Sequence, residues 1–232
     1  FNTGQGGGTP GIDINTKKAW TLNQGVEDVI VALIDDGCTY DHDDLDIDPF
    51  DPGGIWGQGY DFAGNSKYDP PDDDPSPGDS SYHGVACMSI IKANTDNGLG
   101  MAGIAEGCSI LPIKIWDNEG APVSHSVVAN SLLYAVDQGA LVISCSWGFL
   151  SHVYWQDVAD AIEYGVVRNR VFVFSTGNYT GGGMRDVCFP ANQTTTISVG
   201  AIQRTGVLWN YSAHGPEMDL VAPSGMIYTG DF

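Results

Sequence analysis

Positive charge is what this chain most lacks: 9 lysines and arginines stand against 29 aspartates and glutamates in 232 residues, a formal charge of −20. Such a surface repels phosphate backbones and anionic headgroups, so nucleic acid and acidic membranes are poor partners, whereas calcium, cationic peptides or a salty medium suit it. Long hydrophobic runs are missing too. No stretch approaches the roughly 18 apolar residues of a membrane span, and membrane insertion is not expected. No signal peptide opens the chain, which says nothing about secretion, because leaders and propeptides are removed upstream of a mature start. The five cysteines, Cys38, Cys87, Cys108, Cys145 and Cys188, form no Cys-x-x-Cys pair and have no metal-ligand spacing. Their odd number leaves at least one thiol free unless another chain pairs with it. Cys145, in an apolar run, and Cys87 read as small core residues. Cys87 as a nucleophile beside His83 is the sharper alternative, disfavoured because a helix there points Cys87 inward. Internal repeats and low-complexity linkers are also absent.

What is present is the pattern of one α/β domain. The chain is 42% apolar and long enough for a sizeable core. Short continuous apolar or β-branched runs at 29–34, 110–115, 141–145, 171–175 and 196–199 predict strands covered on both faces. Between them, 83–94, 123–138 and 153–169 carry helical spacing, with Gly139 as the stop of the second. Alternation of this kind predicts a parallel sheet, in which ligands bind outside the carboxyl ends of the strands.

The run Val31-Ala32-Leu33-Ile34 ends in Asp35-Asp36-Gly37. Alone, that is most simply a turn, yet a carboxylate at the end of a buried strand is costly without a partner or a task. Two further segments supply context. Tyr82-His83-Gly84-Val85-Ala86-Cys87 opens a small-residue helical stretch, and the apolar run from Val171 to Phe174 ends in Ser175-Thr176-Gly177-Asn178. In this order the three segments resemble the Asp, His and oxyanion-Asn motifs of the subtilisin-like serine proteases. The likeness runs nearly end to end. Residues 2–20, with Asn-Thr-Gly-Gln, Asp-Ile-Asn and Ala-Trp, resemble the opening of secreted bacterial subtilases. Asp35-Asp36-Gly37, Tyr60-Asp61-Phe62 with its acidic proline loop, and Ser146-Trp147-Gly148 are similar to the kexin-like branch. The stretch from Tyr211-Ser212 through Gly215-Pro216-Glu217 to Val221-Ala222-Pro223 is similar to the segment that precedes the nucleophile.

The resemblance implies a subtilisin-like three-layer α/β fold with a central, mostly parallel sheet, and a secreted serine endopeptidase acting on polypeptides. His83 is then the general base, Asp35 the carboxylate that orients it, and Asn178 the oxyanion donor. The neighbouring Asp36 is expected near solvent, where the kexin-like branch uses it to receive a basic residue just before the scissile one. Ser146, Trp147 and Gly148 match one peptide-binding segment, with the other near Asn118-Glu119-Gly120, and Ser175, Thr176 and Gly177 form pocket walls. No acidic residue stands in Phe149-Leu150-Ser151 or Phe189-Pro190-Ala191, so strict cleavage after a basic residue is not expected. His42, His125, His152 and His214 match no motif and read as surface or loop residues.

Calcium is the expected cofactor. The stretch 69–78, Asp-Pro-Pro-Asp-Asp-Asp-Pro-Ser-Pro-Gly, excludes a helix or a central strand. It is either a solvated loop or, as in kexin-like cation loops, a calcium site with Asp61, Asp72 and Asp74 as ligands. A second site by resemblance pairs Asp44 with Asn97, the alternative being a hydrogen-bonded turn.

Two departures stand out. Val85 occupies the place where Thr usually follows His-Gly, and the Gly-Thr-Ser-Met-Ala motif with the nucleophile appears nowhere in residues 1–232. The expectation is a catalytic domain whose C-terminal part is incomplete, completed by a companion segment carrying the serine beyond Phe232, with a nick around Gly230-Asp231 as one origin. An inactive pseudoprotease that keeps the groove, and a secreted acidic calcium-binding domain, are the other readings.

Overall fold

The computed structural model describes residues 7–39, 42–45, 59–64, 71–78, 82–118, 123–149, 154–179 and 185–225. In chain order the elements are α1 (Thr16–Trp20), β1 (Ile30–Asp35), β2 (Tyr60–Asp61), α2 (His83–Lys92), β3 (Ser109–Lys114), α3 (His125–Asp137), β4 (Val142–Cys145), α4 (Gln156–Val166), β5 (Val171–Ser175), β6 (Ile197–Ile202) and β7 (Leu220–Pro223). Seven strands form one sheet in the order β2-β3-β1-β4-β5-β6-β7. The pairings of β1 with β3 and β4, β2 with β3, β5 with β6 and β6 with β7 are all parallel. This is the mostly parallel α/β sheet that the alternating pattern predicts.

The chain divides into two compact units. The larger comprises residues 24–146 and 155–172. Its centre is β1, where Val31, Ala32, Leu33 and Ile34 are all buried, as expected of a strand with neighbours on both edges. Cys38, Leu45, Met88, Ala93, Cys108 and Ile110 pack with Val31 and Leu33 in one cluster. Cys38, Cys108 and Cys145 are buried and unpaired, so here cysteine serves as a small apolar residue. Helix α3 stops as expected: Gly139 follows with φ +89°, the left-handed turn that glycine adopts without strain. Helices α3 and α4 meet where Gly165 lies so close to Phe172 and Val136 that a Cβ would fall 2.5 Å and 2.9 Å from their side chains.

The smaller unit comprises residues 1–23, 147–154 and 173–232. Phe174 is buried at the centre of β5, and Trp147 meets it edge-on with ring centroids 5.3 Å apart. Ser198, fully buried in β6, is satisfied by Asp219 and by the Glu217 carbonyl. Strand β7 lies at the sheet edge with Leu220 and Val221 exposed.

Observed bounds differ from the expected ones by a few residues. Strand β1 runs one residue further, so Asp35 is its last member, and β6 continues to Ile202. The helices are shorter than their periodic patterns; α2 ends at Lys92 because Ala93 is extended and its N–H closes the last turn on the Ser89 carbonyl. Helix α1 and strands β2 and β7 were not predicted from pattern, being too short to show a period.

Candidate active site

Asp35 owes its place to β1, whose apolar residues carry it to the carboxyl end of the sheet's interior, where it is 3% exposed. His83 is the first residue of α2. Its Nδ1 lies 2.6 Å from Asp35 Oδ1, so the imidazole carries its proton on that nitrogen and donates it to the carboxylate. The same Oδ1 accepts the Asp36 N–H at 2.9 Å. Among the described residues, Asp35 Oδ2 is buried without a hydrogen-bond partner. This carboxylate therefore lacks the full set of donors that a purely structural buried charge would have.

The bond to Asp35, and after it the contact with Cys87, raise the His83 pKa from 6.5 to about 11, against the opposing effect of burial. Both contacts favour the charged imidazole, whereas burial favours the neutral form that can accept a proton. Cys87, one helical turn on, brings Sγ to 3.9 Å from Nδ1 and also packs on the core cluster. Its expected inward direction is thus only half the picture, because i,i+4 spacing places it under the histidine. Val85 packs on the same cluster, an apolar contact that a threonine hydroxyl would not make.

Asp36 departs from the expectation of a solvent-facing carboxylate. It is partly buried, and its two oxygens accept the backbone N–H groups of His83 and Gly84 at 3.3 Å and 2.6 Å. Burial is the first cause of a raised Asp36 pKa.

Beside this pair is a second one that sequence reasoning missed. In the β1–β3 register, Lys114 is the partner of Asp35, yet its ammonium reaches Asp61 Oδ2 and Asn118 Oδ1, each at 2.8 Å. Lys114 and Asp61 side chains are both 0% exposed. The other Asp61 oxygen accepts the N–H groups of Ala63 and Gly64 at 2.7 Å and 2.9 Å. The Asp61 carboxylate is thereby committed to the protein, which does not fit a calcium ligand. Asp72 meets Asp61 through a backbone bridge, its Oδ1 accepting the Asp74 N–H at 2.9 Å, and Asp74 Oδ1 accepts the Ser76 N–H at 3.1 Å. These three acids do not gather round one point: among the described residues, the only group of three His, Cys, Asp or Glu side chains with neighbouring ligand atoms is Asp35, His83 and Cys87. Asp69 and Pro70 lie outside the described residues.

Asp44 and Asn97 are brought together. Asn97 Nδ2 donates to Asp44 Oδ1 and the Met101 N–H to Oδ2, each at 2.8 Å, which holds the Asp44 pKa below the usual carboxylate range. Gly100 packs on this carboxylate so closely that a Cβ would overlap it. Asn97 Oδ1 accepts the Leu99 N–H at 3.0 Å, so the loop is tied as a hydrogen-bonded turn around a carboxylate.

In the smaller unit, Ser175 ends β5 and the next three residues turn outward. Thr176 is buried, its N–H on the Val199 carbonyl and its carbonyl accepting the Cys188 N–H, each at 3.0 Å. Gly177 has φ +100°, and Asn178, exposed, bridges to Ser212. Both Gly148 and Gly177 face Cys188, whose sulfur lies 2.5 Å from where a Gly177 Cβ would stand. Phe149 joins Phe189 by a backbone bond of 2.9 Å and ring stacking at 6.3 Å. Cys188 therefore packs against both glycines, a nearness that no spacing announced, whereas Lys114 did carry a signal: a lone charge inside an apolar strand. Ser146 directly follows β4 in the larger unit. Glu119 and Gly120, Leu150 and Ser151, His152, and Gly230 with Asp231 lie outside the described residues. Of the other histidines, His125 binds Asp157 at 2.6 Å on the surface, while His42 and His214 hold local backbone.

A carboxylate at the end of a central parallel strand, bound to a histidine that opens a helix, is an arrangement able to move a proton, and comparison supplies the family. The chain belongs to the subtilase family, whose Peptidase S8 signature matches residues 27–231. It is 33% identical over 208 residues to the thermophilic serine proteinase of Bacillus sp. strain AK1, covering 90% of the chain but 47% of that protein. It is 32% identical to thermitase of Thermoactinomyces vulgaris, over 93% of the chain and 70% of thermitase. The calcium-dependent protease of Trichormus variabilis is 29% identical over 94% of the chain and 33% of its own length. Among solved structures, proteases from Pseudoalteromonas arctica PAMC 21717 share the fold with a TM-score of 0.76 at 24% identity, over 95% of this chain and 69% of that one.

Proposed function

We propose that the protein is a secreted serine endopeptidase in which Asp35, His83 and Asn178 act with a serine carried beyond Phe232. The observation that carries this reading is the 2.6 Å bond between His83 Nδ1 and Asp35 at the end of β1, in a chain of the subtilase family. With Nδ1–H fixed on the carboxylate, Nε2 is the nitrogen left to take the hydroxyl proton as the serine attacks the peptide carbonyl. Asp35 stabilises the imidazolium without taking its proton, and that proton passes to the leaving amine. The exposed Asn178 amide supplies a donor to the tetrahedral oxyanion. Peptide would lie along Ser146, Trp147 and Gly148, with Ser175, Thr176, Gly177 and the adjacent Cys188 walling its pocket.

Calcium is proposed at the Asp44–Asn97 turn, supported by the nearness of these two oxygen-bearing side chains and by the name of the calcium-dependent relative; the ion would have to displace the Asn97 amide donor from Asp44 Oδ1. An ion there supplies stability, and no chemical step passes through it; rotating the Asn97 amide would present a second oxygen. A groove that binds peptide without cutting it is the second reading, favoured by Val85 in place of threonine. The full-length protein decides between them. The endopeptidase hydrolyses casein and takes up a fluorophosphonate at one serine, with both lost in His83→Ala; absence of labelling in the wild type would overturn it.

A further inference from the structure

Helix α2 begins without a cap of its own. Tyr82, the residue before it, makes no capping side-chain hydrogen bond to the helix, and no acidic residue stands in the first turn. The donors at the start of a helix are normally met by Ser, Thr, Asp or Asn from that position. Here a carboxylate from another element meets them. Asp36, 47 residues earlier and just past β1, accepts His83 N–H on Oδ2 at 3.3 Å and Gly84 N–H on Oδ1 at 2.6 Å. Its own N–H is bound to Asp35 Oδ1, the oxygen that also takes the imidazole proton. Three hydrogen bonds thus close a ring through Asp35, Asp36 and His83, and a fourth adds Gly84, fixing both the backbone and the imidazole of His83 against the carboxylate that orients it.

We infer that Asp36 is a positioning residue for the His83 base, a cap supplied across the fold, rather than the receptor of a basic substrate residue. Resting on the proposed endopeptidase reading, this assigns to the second aspartate of Asp35-Asp36-Gly37 a task inside the catalytic machinery. Both carboxylate oxygens already face backbone donors, and the carboxyl is partly buried, a poor placement for meeting a solvated lysine or arginine. The negative charge also lies at the positive end of α2, where it is favoured. Burial, the leading influence, pushes the Asp36 pKa up, consistent with a carboxylate turned inward.

The test uses full-length protein with Asp36→Ala and the nearly isosteric Asp36→Asn, which keeps one acceptor oxygen. Each variant is assayed on two peptides that differ only in carrying Lys or Ala at the second residue before the scissile bond, and the His83 imidazole is titrated by NMR without substrate. Positioning predicts that Asp36→Ala lowers kcat about 10- to 100-fold on both peptides alike, leaves KM nearly unchanged and moves the imidazole midpoint downward, with Asp36→Asn in between. A loss confined to the Lys peptide, or seen in KM alone, would overturn it in favour of a substrate receptor. Unchanged kcat and imidazole midpoint with a lower Tm would reduce Asp36 to a structural cap. If Asp36→Ala does not fold, Asp36→Asn carries the same comparison. Should the wild type cut neither peptide while the midpoint still follows Asp36, the endopeptidase reading fails and the positioning role stands.

Discussion

Two ion pairs stand at the carboxyl ends of neighbouring strands in the larger unit, and they are opposites. Lys114 and Asp61 are sealed at 0% exposure, with both Asp61 oxygens met by protein donors. The His83–Asp35 pair has a base 40% exposed at its side chain and a carboxylate with one buried oxygen that meets no donor among the described residues. Complete satisfaction marks a pair that holds structure, since removing either member strands a charge. Incomplete satisfaction around a half-open titratable group marks chemistry, because the unused capacity is what changes as a proton moves. The two charges even occupy one register position, Asp35 opposite Lys114, without bonding each other. Asp61 draws the lysine away, and Asp35 is left to the histidine.

The contrast can be broken most severely at Asp35. Asp35→Asn in the full-length protein should lower kcat by about 10⁴-fold, because the amide favours the wrong imidazole tautomer. Its loss of stability, read by urea or thermal denaturation, should be smaller than that from breaking the sealed pair, because the His83 side chain is 40% exposed and can turn to solvent. Lys114→Ala should do the reverse, destabilising by about 3 to 5 kcal/mol through the stranded Asp61. The double change Lys114→Met with Asp61→Leu should recover most of that loss, while an equal loss in single and double variants would remove the structural reading of this pair. Asn178→Ala should cost about 10²- to 10³-fold in kcat with KM nearly constant, measured by steady-state kinetics on a peptide amide.

Smaller effects sharpen the comparison through pH and ions. The folded His83 pKa is raised, to about 11 from 6.5. Proton binding is therefore tighter in the folded state, and the contribution to stability is fully present below pH 6.5 and lost as pH rises through the folded value. An NMR titration of the imidazole should give a midpoint well above 6.5, lowered in Asp35→Asn. The rate should climb toward alkaline pH as the base becomes free. At the Asp44 turn, calcium at 100 times its Kd should stabilise by about 2.7 kcal/mol. Asp44→Ala should abolish the response in a melting experiment, and a response that survives would move the ion elsewhere.

Much of this arrangement was legible in the sequence because it follows from a strand covered on both faces. Val31 to Ile34 reads as a buried run and marks the charge at its end as one in need of a partner or a task, but that the partner is His83 came only with the resemblance to the subtilase motifs. Lys114 sends the same signal from β3, yet no motif drew the eye to it, and its partner Asp61 read instead as part of an acidic loop. Composition could not separate those cases, because only the tertiary approach of β2 to β3 decides that Asp61 faces an ammonium. Asp36 was misplaced toward solvent for a similar reason: its donors lie 47 and 48 residues away. Cys188 was illegible altogether, being defined by its nearness to two glycines from separate segments. Elements of two to five residues, such as β2, β7 and α1, carry too few turns or alternations to show a period.

Gly84 shows how tightly the base is mounted. A Cβ there would sit 2.1 Å from the Gly37 carbonyl and 3.1 Å from Asp35 Cβ, so the first turn of α2 rests on the end of β1 with no slack between them. Mechanically the histidine behaves as part of the strand rather than as the frayed tip of a helix. Its thermal amplitude should track the sheet interior, and random mutagenesis should leave position 84 untouched while neighbouring positions drift, because any side chain there would lever the base off its carboxylate.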